Sequence, residues 1–244
     1  MNAIAHMTAR LAANNLLAAL DLEDRAALSP LLARSELASG STLYQPGDVI
    51  EHCYFPCHSA LAGFYVVMED GEALETAMVG REGALGGMVS HGRLPAFARA
   101  SVLQGGPFLR IALSDLESVK TTHTGVARLF DRYADCFLAQ IFQTAACNAV
   151  HDIEQRSARW LLAAQQRSNS RQVELTQDQL AELLGVGRSY VARVLGRFRA
   201  AGVVSTSRKS IAVTDERRLA EMACACNQTI RAHFDTVLRG VYPE

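Results

Sequence analysis

The chain has 244 residues, 49% hydrophobic and 20% charged, with a formal net charge of −1. That is enough apolar material for a sizeable core in one or two domains. No apolar run approaches the ~18 residues of a membrane span, so no membrane partner is expected. The N-terminal MNAIAHMTARLAANNLLAAL is amphipathic without a signal-peptide cleavage pattern. Six cysteines (53, 57, 136, 147, 224 and 226) spread over this length fit a reducing compartment, and a cytoplasmic protein is expected.

The near-zero charge conceals an asymmetry. Residues 1–148 hold ten lysines and arginines against fifteen acids, whereas residues 149–244 hold fourteen against ten. The C-terminal part is therefore the candidate to meet a polyanion.

In chain order, a helical segment over about 9–33 precedes short alternating apolar segments from about 35 to 113. Pro46-Gly47-Asp48 and Glu69-Asp70-Gly71 punctuate them as turns, a pattern that predicts a small β-barrel or jelly roll. After Ser114 the period changes. Phe130, Tyr133, Phe137, Ile141 and Thr144 recur at three- and four-residue steps, predicting a long helix over 116–148. Such a stripe either packs on its own barrel or meets a second copy of the chain, and dimerisation is the reading preferred here. A second helix is expected over 152–167, ending before the polar SNSRQ. The organisation expected is α+β: helices and roll in 1–115, a dimerisation helix in 116–148 and a third unit in 149–244.

That third unit carries the strongest motif. Thr176 opens TQDQ, where its hydroxyl can cap helix amides and Gln179 can reach back, a capping box starting a helix over 177–184. Gly185 closes it, Gly185-Val186-Gly187 turns the chain, and another helix starts near Arg188: a helix-turn-helix. At about 100° per residue, Tyr190, Val191, Val194, Leu195 and Phe198 fall on one side, expected to be buried. Arg188, Ser189, Ala192, Arg193, Gly196, Arg197 and Arg199 fill the other, small residues at its centre. A solvated helix face normally mixes acids with its bases, yet no acid occurs from 188 to 214. The major groove of DNA suits such a face, because it admits a helix and its guanines accept bidentate arginine. VVSTSRKSIAVT then alternates around Arg208 and Lys209, as a two-stranded wing with a basic tip would.

LTQDQLAELLGVGRSYVARVLGRFRAAGVV resembles the winged helix-turn-helix of the Crp/Fnr family of bacterial transcription regulators. The resemblance covers nearly the whole chain, since that family also carries a cyclic-nucleotide-binding-like β-roll and a long dimer helix in this order. It implies base contacts from Arg188, Ser189 and Arg193, and adds Arg197, Thr176, Gln177, Arg208 and Lys209 as DNA contacts. The partners implied are a near-palindromic double-stranded DNA site, a second copy of the chain and RNA polymerase. The catabolite activator has a glutamate where Ser189 stands, so a different half-site is implied.

Cyclic-nucleotide members hold their ligand with a Gly-Glu segment and an Arg-Ser or Arg-Thr pair. The counterpart here is VGREGALGGMVSHGRLPAFARASV, which has Gly86 but Gly87 in place of the glutamate, and Arg99 followed by Ala100. Glu82, Gly86, Gly87 and Arg99 are the candidate effector residues; cyclic AMP is not expected, and the small-molecule effector stays unassigned. Cys53 with Cys57, and Cys224 with Cys226, offer four thiols, but they lie in different domains and are read as buried structural cysteines. His52, His58 and His91 are weaker candidates still, as haem ligands. Neither metal nor cofactor is expected. Without His-x-His, G-x-S-x-G or a P-loop, an enzyme is not expected either, the alternative being a β-roll ligand- or metal-binding protein or enzyme with DNA binding secondary.

Overall fold

The computed structural model describes residues 11–69, 71, 73–88 and 94–239. Expectations involving residues 9–10, Asp70 and His91 therefore lie outside the described residues. The fold is α+β. Among the described residues the N-terminal helical segment includes α1 (Asn15–Ala18) and α2 (Leu22–Leu28), followed by a 3₁₀ turn at Ser29–Leu31. Asn14 and Asp21 cap the two helices by accepting the amides of Leu17 and Asp24, as short polar side chains do at N-caps.

Among the described residues seven antiparallel strands follow: β1 (Ala33–Leu37), β2 (Thr42–Tyr44), β3 (His52–Pro56), β4 (Leu61–Val67), β5 (Ala73–Val79), β6 (Arg99–Gln104) and β7 (Gly106–Ala112). They form two sheets, ordered β1-β7-β3 and β2-β6-β4-β5. Tyr44, Ala62, Val79, Leu85, Val102 and Phe108 fill the space between the sheets. The other face of β4, β5 and β6 is also apolar: Leu61, Tyr65, Met78 and Leu103 join Trp160 and Leu161 in one core with the C-terminal unit. This explains why β4 reads as the continuous run LAGFYVV rather than an alternation, as strands buried on both faces do.

The helix expected over 116–148 is two helices, α3 (Leu113–Thr122) and α4 (Thr124–Val150). The break falls at His123, whose φ of −117° and ψ of 89° are not helical. After α4, Asp152 caps α5 (Ile153–Ser168). The C-terminal unit continues with β8 (Gln172–Val173), α6 (Gln177–Leu184), α7 (Arg188–Ala200), β9 (Val204–Thr206) and β10 (Ile211–Val213), the three strands pairing in the order β8-β10-β9. Two further helices follow, α8 (Glu216–Met222) and α9 (Cys226–Val237). Helix α9 does not extend the wing; it returns to α4, placing Ile230, Phe234 and Leu238 in the core that holds Phe130 and Tyr133.

The C-terminal unit rests against the roll through polar as well as apolar contacts. Arg167 of α5 donates to the Met78 carbonyl and, at 2.7 Å, to Gln140 Oε1 of α4, and pairs with Glu82 at 3.3 Å. Gly80 is required at this junction, since a Cβ there would lie 2.8 Å from Arg167 Cβ and 2.9 Å from its carbonyl oxygen. Trp160 Nε1 donates to Glu75 Oε2. Burial pushes the Glu75 carboxyl up to about 7, against the lowering influence of Trp160, Arg159 and Arg167.

Candidate nucleic-acid interface

The helix-turn-helix is built by local rules. Thr176 Oγ1 accepts the Gln179 amide at 3.2 Å, and Gln179 Oε1 accepts the Thr176 amide at 2.8 Å, the capping box that starts α6. Gly185 ends it with φ 65° and ψ 44°, a left-handed cap that only glycine adopts freely. A Cβ at Gly185 would also lie 2.5 Å from Leu74 of β5. Leu180, Leu183 and Leu184 of α6 pack on Val191, Val194, Leu195 and Phe198 of α7 in one buried core.

Helix α7 presents Arg188, Ser189, Arg193, Arg197 and Arg199 to solvent, with Ala192 and Gly196 half-buried between them. Tyr190, expected on the buried side, is 40% exposed. The reason is its place at the edge of the apolar arc, where it lies under Arg193, whose guanidinium carbon is 5.1 Å from the ring centroid. The acid-free window is partly offset from elsewhere: Arg188 Nε lies 3.1 Å from Asp178 Oδ1, Arg197 pairs with Glu154, and Arg199 donates to Thr206 Oγ1 at 2.9 Å. Exposed pairs of this kind stabilise by at most about 1 kcal/mol, so an incoming phosphate or guanine can displace them. Arg193, Arg208 and Lys209 form no ion pair among the described residues. Arg208 and Lys209 stand exposed at the β9–β10 tip, where Ser207 accepts the Lys209 amide and bonds Ser210 at 2.8 Å. Thr176 and Gln177 are half-buried at the start of α6.

The candidate effector residues each have partners within the chain. Arg99 lies over the Tyr65 ring at 4.8 Å and reaches Glu182 of α6 at 3.4 Å, so it is paired with the helix-turn-helix. Glu82 accepts the Gly80 amide and pairs with Arg167. Gly86 and Gly87 pack against His52 and Leu113, leaving 2.7 and 2.3 Å to atoms a Cβ would meet.

The stripe on α4 also differs from expectation. Phe130 and Tyr133 are fully buried inside the chain, Phe130 edge-on to Phe55 and Tyr133 edge-on to Phe234. Phe137 contacts Phe64 at 5.2 Å, Thr144 is buried, and Ile141 is half-buried. The stripe therefore packs on the chain's own roll and α9, and the outward apolar residues of α4 include Leu138 and Phe142 in its middle, 46% and 64% exposed, and Val150 at its end, 73% exposed. Periodicity alone does not show that α9 covers the inner face.

Cys53 and Cys57 are buried in the roll, far in sequence and packing from Cys224 and Cys226. The latter meet two residues that the spacing does not single out, Cys147 and His151.

Residues 155–222 match the Crp-like helix-turn-helix domain, so the C-terminal unit is a helix-turn-helix domain of this class. Most of the chain, roll included, shares its fold with regulators of the Crp/Fnr family. FixK2 from Bradyrhizobium japonicum is 17% identical with a TM-score of 0.68, over 80% of this chain and 98% of that one. The c-di-GMP responsive global regulator CLP of Xanthomonas campestris is 16% identical with a TM-score of 0.63, over 79% and 99%. TTHB099, a CRP family transcriptional regulator from Thermus thermophilus, is 18% identical with a TM-score of 0.59, over 78% and 97%. No curated protein sequence matches the chain. Among the described residues no helix is long and apolar enough to cross a membrane.

Proposed function

We propose that the chain is a cytoplasmic, homodimeric transcription regulator of the Crp/Fnr type that reads a near-palindromic DNA site and catalyses no reaction. The observation that carries this is the outer face of α7, whose Arg188, Ser189 and Arg193 are exposed around the small Ala192 and Gly196, beside a wing tipped by Arg208 and Lys209. Arg188 and Arg193 read base edges; Arg197, Arg208 and Lys209, with Thr176 and Gln177 at the start of α6, meet the phosphate backbone. The filled interior of the roll favours this reading over an enzyme with a site inside the barrel.

The second copy docks along the outward face of α4 through Leu138 and Phe142, which are exposed and share one face of the helix. Two recognition helices then sit one DNA turn apart, about 34–36 Å. An effector, and RNA polymerase as a further partner, are carried over from the family resemblance. Any effector acts by biasing the contacts that hold α5 and α6 on the roll, Trp160 with Glu75 and Arg99 with Glu182. The test is recovery of bound fragments from a genomic library, followed by gel shifts over a salt series. Selective, salt-sensitive binding to recovered fragments is expected; equal binding to all fragments would refute a sequence reader.

A further inference from the structure

The four residues gathered at the junction between α4 and the C-terminal unit form a donor set that the DNA-binding reading does not use. Cys147 lies in the last turn of α4 and His151 directly follows that helix; Cys224 precedes α9 and Cys226 is its first residue. Their donor atoms all lie within 4.8 Å of one another. Cys147 Sγ is 3.6 Å from Cys224 Sγ, and Cys226 Sγ is 3.6 Å from His151 Nδ1. The three cysteines are buried and pack on one another as a cluster of their own, apart from the apolar cores.

We propose that Cys147, His151, Cys224 and Cys226 bind one zinc ion in tetrahedral Cys₃His coordination, fastening the end of the long helix to the start of α9. Tetrahedral zinc with Zn–S of about 2.3 Å and Zn–N of about 2.0 Å sets its ligand atoms roughly 3.5–3.8 Å apart, and both 3.6 Å separations have that length. The set contains three sulfurs, one imidazole and no carboxylate, which selects zinc over magnesium, calcium or manganese. An iron–sulfur cluster attaches its cysteines to different irons and would spread them farther than the edges of one tetrahedron.

The surroundings fit an ion with three thiolates. Such a centre carries one net negative charge, and Arg156 and Arg159 of α5 both act electrostatically on the cysteines. The Nε atoms of these arginines are buried without a hydrogen-bond acceptor, although Arg156 also donates to the Leu184 carbonyl at 3.0 Å. Gln143 Nε2 donates to Cys226 Sγ at 3.2 Å, as groups around a metal-bound thiolate do. Cys226 is the first residue of the 12-residue α9, so the helix fixes where its side chain starts. The ion would join points 77 residues apart across the junction at which the winged unit follows α4.

The experiment uses the full chain purified under reducing conditions, with its zinc content measured by elemental mass spectrometry and cobalt(II) titrated into the zinc-stripped protein. About one zinc per chain is expected, together with the thiolate-to-cobalt charge-transfer band and intense ligand-field bands of a tetrahedral site. Cys147→Ser and Cys224→Ser should lose stoichiometric zinc, while Cys136→Ala, at a buried cysteine outside the set, should retain it. His151→Ala keeps all three thiols and changes a half-buried position, so it should stay folded and bind zinc more weakly with an altered cobalt spectrum. The proposal fails if the wild-type chain takes up no zinc and gives octahedral cobalt bands. It also fails if Cys136→Ala loses as much zinc as Cys147→Ser, or if the reduced chain only forms a Cys147–Cys224 disulfide on oxidation without ever binding metal.

Discussion

Helices α4 and α7 both announce themselves as amphipathic, yet their apolar faces are covered in different ways. In α7 the apolar arc packs on α6 and the arginine face is open, because α6 is only a glycine turn away and the pair is assembled by neighbouring residues. In α4 the apolar stripe of Phe130 and Tyr133 is covered by the roll and by α9, which arrives from a distant part of the chain. Periodicity tells which face of a helix leaves water; it does not tell what will cover it.

The contrast can be broken most forcefully on α4. Phe142→Glu places a charge on the exposed apolar face and is expected to convert the dimer to monomers by sedimentation. Loss of the second half-site contact should then weaken binding to a two-half-site DNA by about 10² to 10⁴-fold. Phe130→Ala, on the inner face, should instead lower unfolding stability by ~3–5 kcal/mol without selectively dissociating the dimer. If the two variants exchanged these effects, the assignment of the faces of α4 would be reversed.

A second prediction concerns the seam between roll and winged unit. Glu75 is held protonated to about pH 7 by burial, whereas the unfolded chain releases that proton near the ordinary carboxylate value. The stability this contributes is fully present below the unfolded value and is lost as pH rises through about 7. Between those limits wild type should lose about 3 kcal/mol that Glu75→Gln does not, measured by denaturant unfolding across roughly pH 4 to 8. Parallel curves for the two proteins would contradict the buried carboxyl as the cause.

The smallest effect belongs to the wing. Arg208→Ala should weaken binding to specific and random DNA alike and reduce the salt slope by about one. A loss confined to one base-pair preference would move Arg208 from backbone to base contact.

The parts legible in the sequence are those made by neighbours. Thr176, Gln179 and Gly185 specify α6 within a single short segment, and the wing follows from an alternation around Arg208 and Lys209. The β-roll is readable as a class from its turns. What escapes depends on distant chain: Arg99 turns to Glu182 because α6 packs there, and Cys147 and His151 meet Cys224 and Cys226 only because α9 returns to α4. Tyr190 departs from expectation for a local reason, since a residue at the margin of an apolar arc can lie on either side, and Arg193 holds it outward.

The central claim is that α7 reads bases. Its most direct test is the affinity of wild type and Arg193→Ala for a recovered operator, for single-base variants of it and for random DNA at fixed salt. The expected loss is ~1–3 kcal/mol on the operator, with relaxed preference at one base pair and little change on random DNA. Equal losses on operator and random DNA would contradict base reading by Arg193 and leave α7 a helix that only holds phosphate.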